Sequence, residues 1–278
     1  MTSSGSPPDW RVNAAGRSKV TGAWLSVWRS RELIGFFAQR DIRVRYKQAA
    51  LGVLWVLLQP IATVAIFTVV FSRLARIDSQ GIPYPLFALV GMVVWSYFSA
   101  ATVRGSDVIV SNPQLVTKVS FPRIAAPAGA MLPPLVDMAV SLALVVVLLL
   151  YYGVSPTWRM LATPVWILLV VLAAFGTALW LSALNVRYRD VRHAVGPLMQ
   201  IWLFASPVAY PASLFADWHA LVYALNPMAG LLGIVRWSLL GTPWPGWPAV
   251  VSVVTLLAVL GTGLLYFTRA ERLFADVI

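Results

Sequence analysis

Residues 135–152 read LVDMAVSLALVVVLLLYY, with Asp137 the single charged side chain in the run. With the small and apolar residues from Ala125 onward, the stretch can cross a bilayer. Crossing takes about 20 apolar residues at about 1.5 Å of rise each. Residues 50–73, 84–103, 161–184, 194–212 and 247–268 have the same character. A chain of 278 residues has no soluble core large enough for six such runs. Composition agrees, at 59% hydrophobic and 11% charged residues, against about half and a quarter in soluble domains. In hydrocarbon a helix satisfies its own backbone. The sequence therefore predicts an all-α membrane protein with six transmembrane helices.

Helix breakers separate the runs, at Ile82-Pro83-Tyr84-Pro85, Gly153-Val154-Ser155-Pro156 and Gly241-Thr242-Pro243-Trp244-Pro245. Lys and Arg set the orientation. Seventeen of the 21 fall before the first span, in the connections 104–123 and 187–192, or after the last span. Arg73, Arg76, Arg159 and Arg236 are the four on the other side, Arg73 and Arg76 against the trend. The positive-inside bias expects both termini in the cytoplasm. It also accounts for the net charge of +11, so no nucleic-acid partner is expected.

Residues 1–20 are polar, lack the apolar core of a secretory signal and read as a flexible cytoplasmic tail. Residues 21–48 mix Trp24, Trp28, Leu33, Phe36 and Phe37 with Arg29, Arg31, Arg40, Arg43, Arg45 and Lys47. That mixture suits an amphipathic interface helix at the cytoplasmic headgroups. Its stripe weakens at Gly35, which suggests two short helices. Residues 49–278 form the six-span domain.

Residues 213–241 lie between spans five and six. Leu214, Phe215, Trp218, Leu221, Val222 and Leu225 share one helical face. Asn226-Pro227 then restarts a helix, Asn as cap and Pro at its first position. Met228, Leu231, Leu232, Val235 and Leu239 form its stripe. Each piece has about 13 residues, too short to span. A short re-entrant or gate helix pair on the outer side is expected, a surface-lying hairpin being the alternative.

Several chemistries lack their residues. No GxxxxGK[ST] occurs, so the chain has no phosphate cradle for ATP. Cys is absent, and His193 and His219 are the only histidines, leaving no metal-ligand spacing or GxSxG hydrolase site. The ten acidic residues are dispersed, against paired carboxylates for sugar hydrolysis. No metal and no catalytic residue is expected. A gradient-driven transporter would show several ionisable groups inside its spans or inverted repeats, and a membrane glycosyltransferase a clustered acidic loop.

Asp137 lies well inside a span, where a charge costs about 3 kcal/mol and must face protein or water. A place on a wet path and a helix-packing hydrogen bond both fit it. Gln59-Pro60 kinks span one, and Gln59 can serve a ligand or a neighbouring helix. Phe67, Phe71, Phe98, Phe175, Trp202 and Phe204 fall within or near spans, where an interfacial belt explains aromatics less well.

The segment Arg40-Asp-Ile-Arg-Val-Arg-Tyr-Lys-Gln48, followed by Leu51-Gly-Val-Leu-Trp-Val-Leu-Leu-Gln-Pro60, resembles the start of ABC-2 type permeases that export polysaccharide. So do Pro83-Tyr-Pro-Leu-Phe87, Asn112-Pro-Gln-Leu-Val-Thr-Lys-Val-Ser-Phe-Pro-Arg123 and Leu184-Asn-Val-Arg-Tyr-Arg-Asp-Val191. Ser206-Pro-Val-Ala-Tyr-Pro211 and Leu225-Asn-Pro-Met228 complete the series. The blocks occur in order over residues 36–278, and the family includes the Wzm-type O-antigen and teichoic-acid permeases.

The resemblance implies a permease in a bacterial cytoplasmic membrane that pairs with a second copy of itself. It implies a separate ABC ATPase subunit, to which ATP and Mg belong, and a polysaccharide on a polyprenyl diphosphate carrier. A drug or lipid ABC-2 permease is the alternative. ATPase contact is then expected at Arg40, Asp41, Arg43, Arg45 and Lys47 and at Asn112, Lys118 and Arg123. The substrate path is expected at Gln59, Phe67, Phe71, Asp137, Trp202 and Phe204. Phe215, Trp218, Asn226 and Pro227 are expected in the outer gate.

Overall fold

The computed structural model describes residues 31–47, 52–112, 122–188, 190–214 and 218–271. Among them the regular structure is helical. Helix α1 is Arg31–Lys47. Helix α2, Gly52–Phe67, carries Pro60 and continues as a π-helical stretch, Thr68–Leu74. Then come α3, Tyr84–Ser111, the short α4, Ala125–Ala130, and α5, Leu132–Tyr151. A 3₁₀ turn, Trp158–Ala162, leads into α6, Thr163–Arg187. Helix α7 is Val191–Phe204, α8 Trp218–Ala224, α9 Pro227–Leu240 and α10 Trp247–Ala270.

Helix α3 is the axis of the bundle. Most of its side chains are buried, among them Phe87, Tyr97 and Phe98. It packs on α6, which packs on α10. At that second crossing the backbones touch: a Cβ on Gly263 would stand 2.6 Å from the Gly176 carbonyl oxygen. Small residues at such a crossing let two spans associate by dispersion where no hydrophobic drive exists between helices in lipid. Trp180 ties the same pair, donating to the Thr262 hydroxyl at 3.1 Å and stacking on Tyr266. Elsewhere apolar side chains face outward, as Val146, Val147 and Leu150 do on α5.

Among the described residues five segments are long and apolar enough to cross a membrane: Val56–Leu74, Tyr84–Ser111, Ala125–Tyr151, Trp158–Arg187 and Trp247–Ala270. The run 194–212, expected as a span whose outer end breaks at Ser206-Pro207, is not one of these five. Helix α7 stops at Phe204 after 14 residues, about 21 Å of rise. Pro207 lacks an N–H, its ring excludes the carbonyl four residues back, and it pushes Ser206 out of helical geometry. Helix α1 corrects the expectation of two short helices at Gly35: it runs unbroken from Arg31 to Lys47. Ala38 is buried in it, and α4 and α5 support it.

Candidate functional site

The stretch that interrupts the run 194–212 gathers the most polar chemistry. Without helix it leaves a row of carbonyls that must find donors, since each unsatisfied group in an apolar medium costs several kcal/mol. One side chain of the stretch itself and others from α3 and from α9 with its cap supply them. Tyr210 Oη donates to the Phe204 carbonyl at 2.7 Å. Asn226 Nδ2 donates to the Ala205 carbonyl at 3.1 Å and to Ser206 Oγ at 2.9 Å. Arg236 donates to the Val208 carbonyl at 2.7 Å and, in a longer contact of 3.4 Å, to that of Tyr210. Tyr84 Oη donates to the Ala209 carbonyl at 2.7 Å.

Asn226 is the hub of this network. Its Oδ1 accepts from the Met228 backbone N–H at 3.0 Å, capping α9, and from Trp202 Nε1 at 3.1 Å. Pro227 fills the first helical position, as its fixed φ and missing N–H favour. All five residues of the expected stripe, Met228, Leu231, Leu232, Val235 and Leu239, are buried. Ser252 of α10 bonds the same turn, sharing its proton between the carbonyls of Ala224 at 2.8 Å and Asn226 at 3.1 Å. Helix α9 is thus enclosed in protein. On α8 the expected face is turned outward, with Leu221, Val222 and nearby Leu225 exposed.

Arg236 is the residue that sequence reasoning passed over, noting it only as a charge on the outer side. It is 4% exposed. Its guanidinium carbon lies 3.6 Å from the Phe87 ring centroid. Gly91 makes room, because a Cβ there would come within 2.7 Å of the Val208 oxygen and 2.9 Å of the Arg236 guanidinium. An arginine within an otherwise apolar helix was the available signal.

The other candidates fall in three places. Trp202 sits against Phe98 and Trp95, edge to face with Phe98 at 5.1 Å, with its N–H committed to Asn226. Phe204, two residues on, is 61% exposed. On α2, Gln59 is exposed, Phe67 is buried and meets Phe71 edge to face at 5.4 Å. Asp137 is half-buried, and its carbonyl accepts from the Ser141 hydroxyl at 2.9 Å. Helices α2, α5 and α7 each lie against α3.

A second polar group lies at the opposite end of α3 from Tyr84. Asn112 caps that end, donating to the Val108 carbonyl at 3.0 Å. Arg123 receives Glu271: its backbone N–H donates to Glu271 Oε1 at 3.2 Å, and its guanidinium donates to the Glu271 carbonyl. Burial pushes the Glu271 carboxyl above its ordinary range, and the Arg123 N–H and charge oppose the shift. Asp107 and Arg192 form an ion pair at 2.9 Å that ties α3 to α7. Helix α1 packs on α4 beside Arg123, with Arg40 paired to Asp41 at 3.0 Å and Arg43 exposed. The side chains of Arg45, Lys47 and Trp218, and residues Lys118 and Phe215 altogether, lie outside the described residues. Among the described residues no cluster of three metal-ligating side chains occurs.

Several helices among the described residues are long and apolar enough to cross a membrane, which marks a multi-pass membrane protein. The family model of the ABC-2 type transporter matches residues 32–240, and the chain belongs to that family. It is 35% identical over 209 residues to the O-antigen export system permease protein RfbA of Myxococcus xanthus, covering 74% of this chain and 79% of that protein. It is 24% identical over 250 residues to a protein of the same name from Klebsiella pneumoniae, covering 89% and 95%. The polysialic acid transport protein KpsM of Escherichia coli is 24% identical over 250 residues, covering 85% and 93%.

Proposed function

We propose that this chain is the permease subunit of an ATP-driven exporter of lipid-linked polysaccharide in a bacterial cytoplasmic membrane. Two copies form the channel, and each engages a separate ATPase chain that holds ATP and Mg. The observation that carries the reading is the irregular stretch 205–211, satisfied by side chains rather than by helix. Irregular backbone at membrane depth is tolerated where it is buried in protein or lines a wet path. The names of the relatives, O-antigen permeases and a polysialic acid transporter, support a polysaccharide as the cargo.

On this reading α7 and the stretch after it make the sixth crossing. The chain follows α3 back toward its start, Trp202 lying on Phe98, Val208 facing Gly91 and Ala209 bonding Tyr84. Helices α8 and α9 then form the outer gate pair, hinged at Asn226-Pro227. Both termini lie in the cytoplasm, and the ATPase docks at the end that carries α1, Asn112 and Arg123. Gln59 and Phe204 belong to the path. A polar amide exposed on a span is costly against lipid, so water or a second copy covers it.

The test is co-purification with an ATPase chain encoded beside this one. The expected result is a complex of two permeases and two ATPases by native mass spectrometry, with ATP turnover confined to that complex. Sustained turnover by the isolated chain, after contaminants are removed, contradicts the assignment.

A further inference from the structure

A cavity of about 450 Å³ opens at the end of the bundle away from Arg123 and Glu271. Arg236 forms part of its wall, with Tyr223, Trp244, Gln80 and prolines such as Pro207 and Pro245. The chemistry is unbalanced. Arg236 is a cation, more than nine-tenths buried, and among the described residues no carboxylate pairs with it. Backbone carbonyls and the Phe87 ring face it instead, and its Nε has no hydrogen-bond partner. Taking a charge out of water costs several kcal/mol even after relaxation. Carbonyl dipoles and a ring offset part of that cost without neutralising the charge. An anion entering the cavity would complete it.

The rest of the wall narrows the anion. Trp244 is half exposed and meets Trp237 edge to face at 5.0 Å, and Trp237 meets Trp158 at 6.1 Å. Aromatic faces and prolines offer flat apolar surface, which suits the C–H face of a pyranose ring. Gln80 adds hydrogen-bonding groups for hydroxyls, beside the Tyr223 hydroxyl, which donates to Tyr210 Oη at 3.3 Å. The volume falls in the range of small-ligand sites.

We propose that this outer cavity is a docking site for an anionic sugar unit, its carboxylate held by the positive field of Arg236 and its ring set against Trp244. The choice of ligand rests on the exporter reading, and the site would hold an acidic unit of the chain as it emerges.

The full-length chain, in nanodiscs of neutral phosphatidylcholine, is dialysed against labelled glucuronate, glucose or inorganic phosphate. The expected result is glucuronate binding at least about tenfold tighter than glucose, the scale of one charge-assisted contact. R236Q should bring glucuronate to the level of glucose. Because R236Q also removes donors to two carbonyls, A212W is the second variant. Ala212 lies exposed on the cavity rim, and a large ring there narrows the mouth while every donor to the Val208 and Tyr210 carbonyls is kept. It should abolish binding of both sugars at an unchanged unfolding temperature.

Equal affinity for the two sugars, no binding by the folded wild type, or full glucuronate binding by A212W overturns the proposal. So does inorganic phosphate binding as well as glucuronate, which would mark a bare anion site. Loss of glucuronate binding when phosphatidylglycerol replaces the neutral lipid would mark a headgroup site and overturn it too. None of these outcomes touches the exporter reading, which is tested by export itself.

Discussion

Asn226 does the work of several residues at once. Its side chain caps α9, holds the Trp202 indole and satisfies a carbonyl of the interrupted stretch. A lost N-cap costs about 1 kcal/mol, and an orphaned buried group costs about 1–3 kcal/mol. N226A should therefore lower stability by about 2–4 kcal/mol in reversible detergent denaturation. N226D keeps the acceptor that caps α9 but sets a carboxylate oxygen against the Ala205 carbonyl, and should not restore wild-type stability. Equal stability of N226A and wild type would remove the hub from the account. At the other end, Glu271 supplies a pH dependence. Its carboxyl titrates above its ordinary range because burial disfavours the charged form. A raised folded-state value means that its contribution is fully present below the unfolded-state value and is lost as pH rises through the folded one. Stability should therefore decline as pH rises from about 4.5, and E271Q should flatten that decline. An identical pH profile in E271Q would place the titration elsewhere.

Among the elements, the α6–α10 crossing brings two backbones into contact. Gly263 meets the Gly176 carbonyl, whereas Gly261, on the same helix two residues earlier, has nothing within 4 Å of an added Cβ. G263L should prevent the two spans from closing, read as loss of the folded, monodisperse species. G261A should fold normally, with up to about 1 kcal/mol gained in helix propensity. If both variants behave alike, the close approach is not limiting. The contrast between elements also explains what was legible in the sequence. The cap and stripe of α9 are local patterns, so Asn226-Pro227 and the five apolar positions could be read directly. The break at Ser206-Pro207 was legible in the same way, but the groups that satisfy the carbonyls after it were not, because the donors come from Tyr84, Asn226 and Arg236, far apart in sequence. Arg123 and Glu271, 148 residues apart, were hidden for the same reason.

On the proposed function, the whole molecule has a charged end that receives force and a path that uses it. Arg43 is exposed on α1, the helix that packs on α4. In the complex R43E should leave insertion intact and separate ATP hydrolysis from export; unchanged export would move the contact elsewhere. The path can be mapped by thiol labelling, since the chain has no native Cys. Q59C and F204C should react with a water-soluble reagent in at least one nucleotide state. V147C, on the outward face of α5, should stay protected by lipid. The reverse pattern would place the path along α5.

The central claim, export of a lipid-linked polysaccharide, is tested most directly by depleting this chain in its native cell and following the glycan. Lipid-linked glycan should accumulate on the cytoplasmic face while surface glycan falls, and resupplying the chain should reverse both. Undiminished surface glycan, with no accumulation inside, would contradict it.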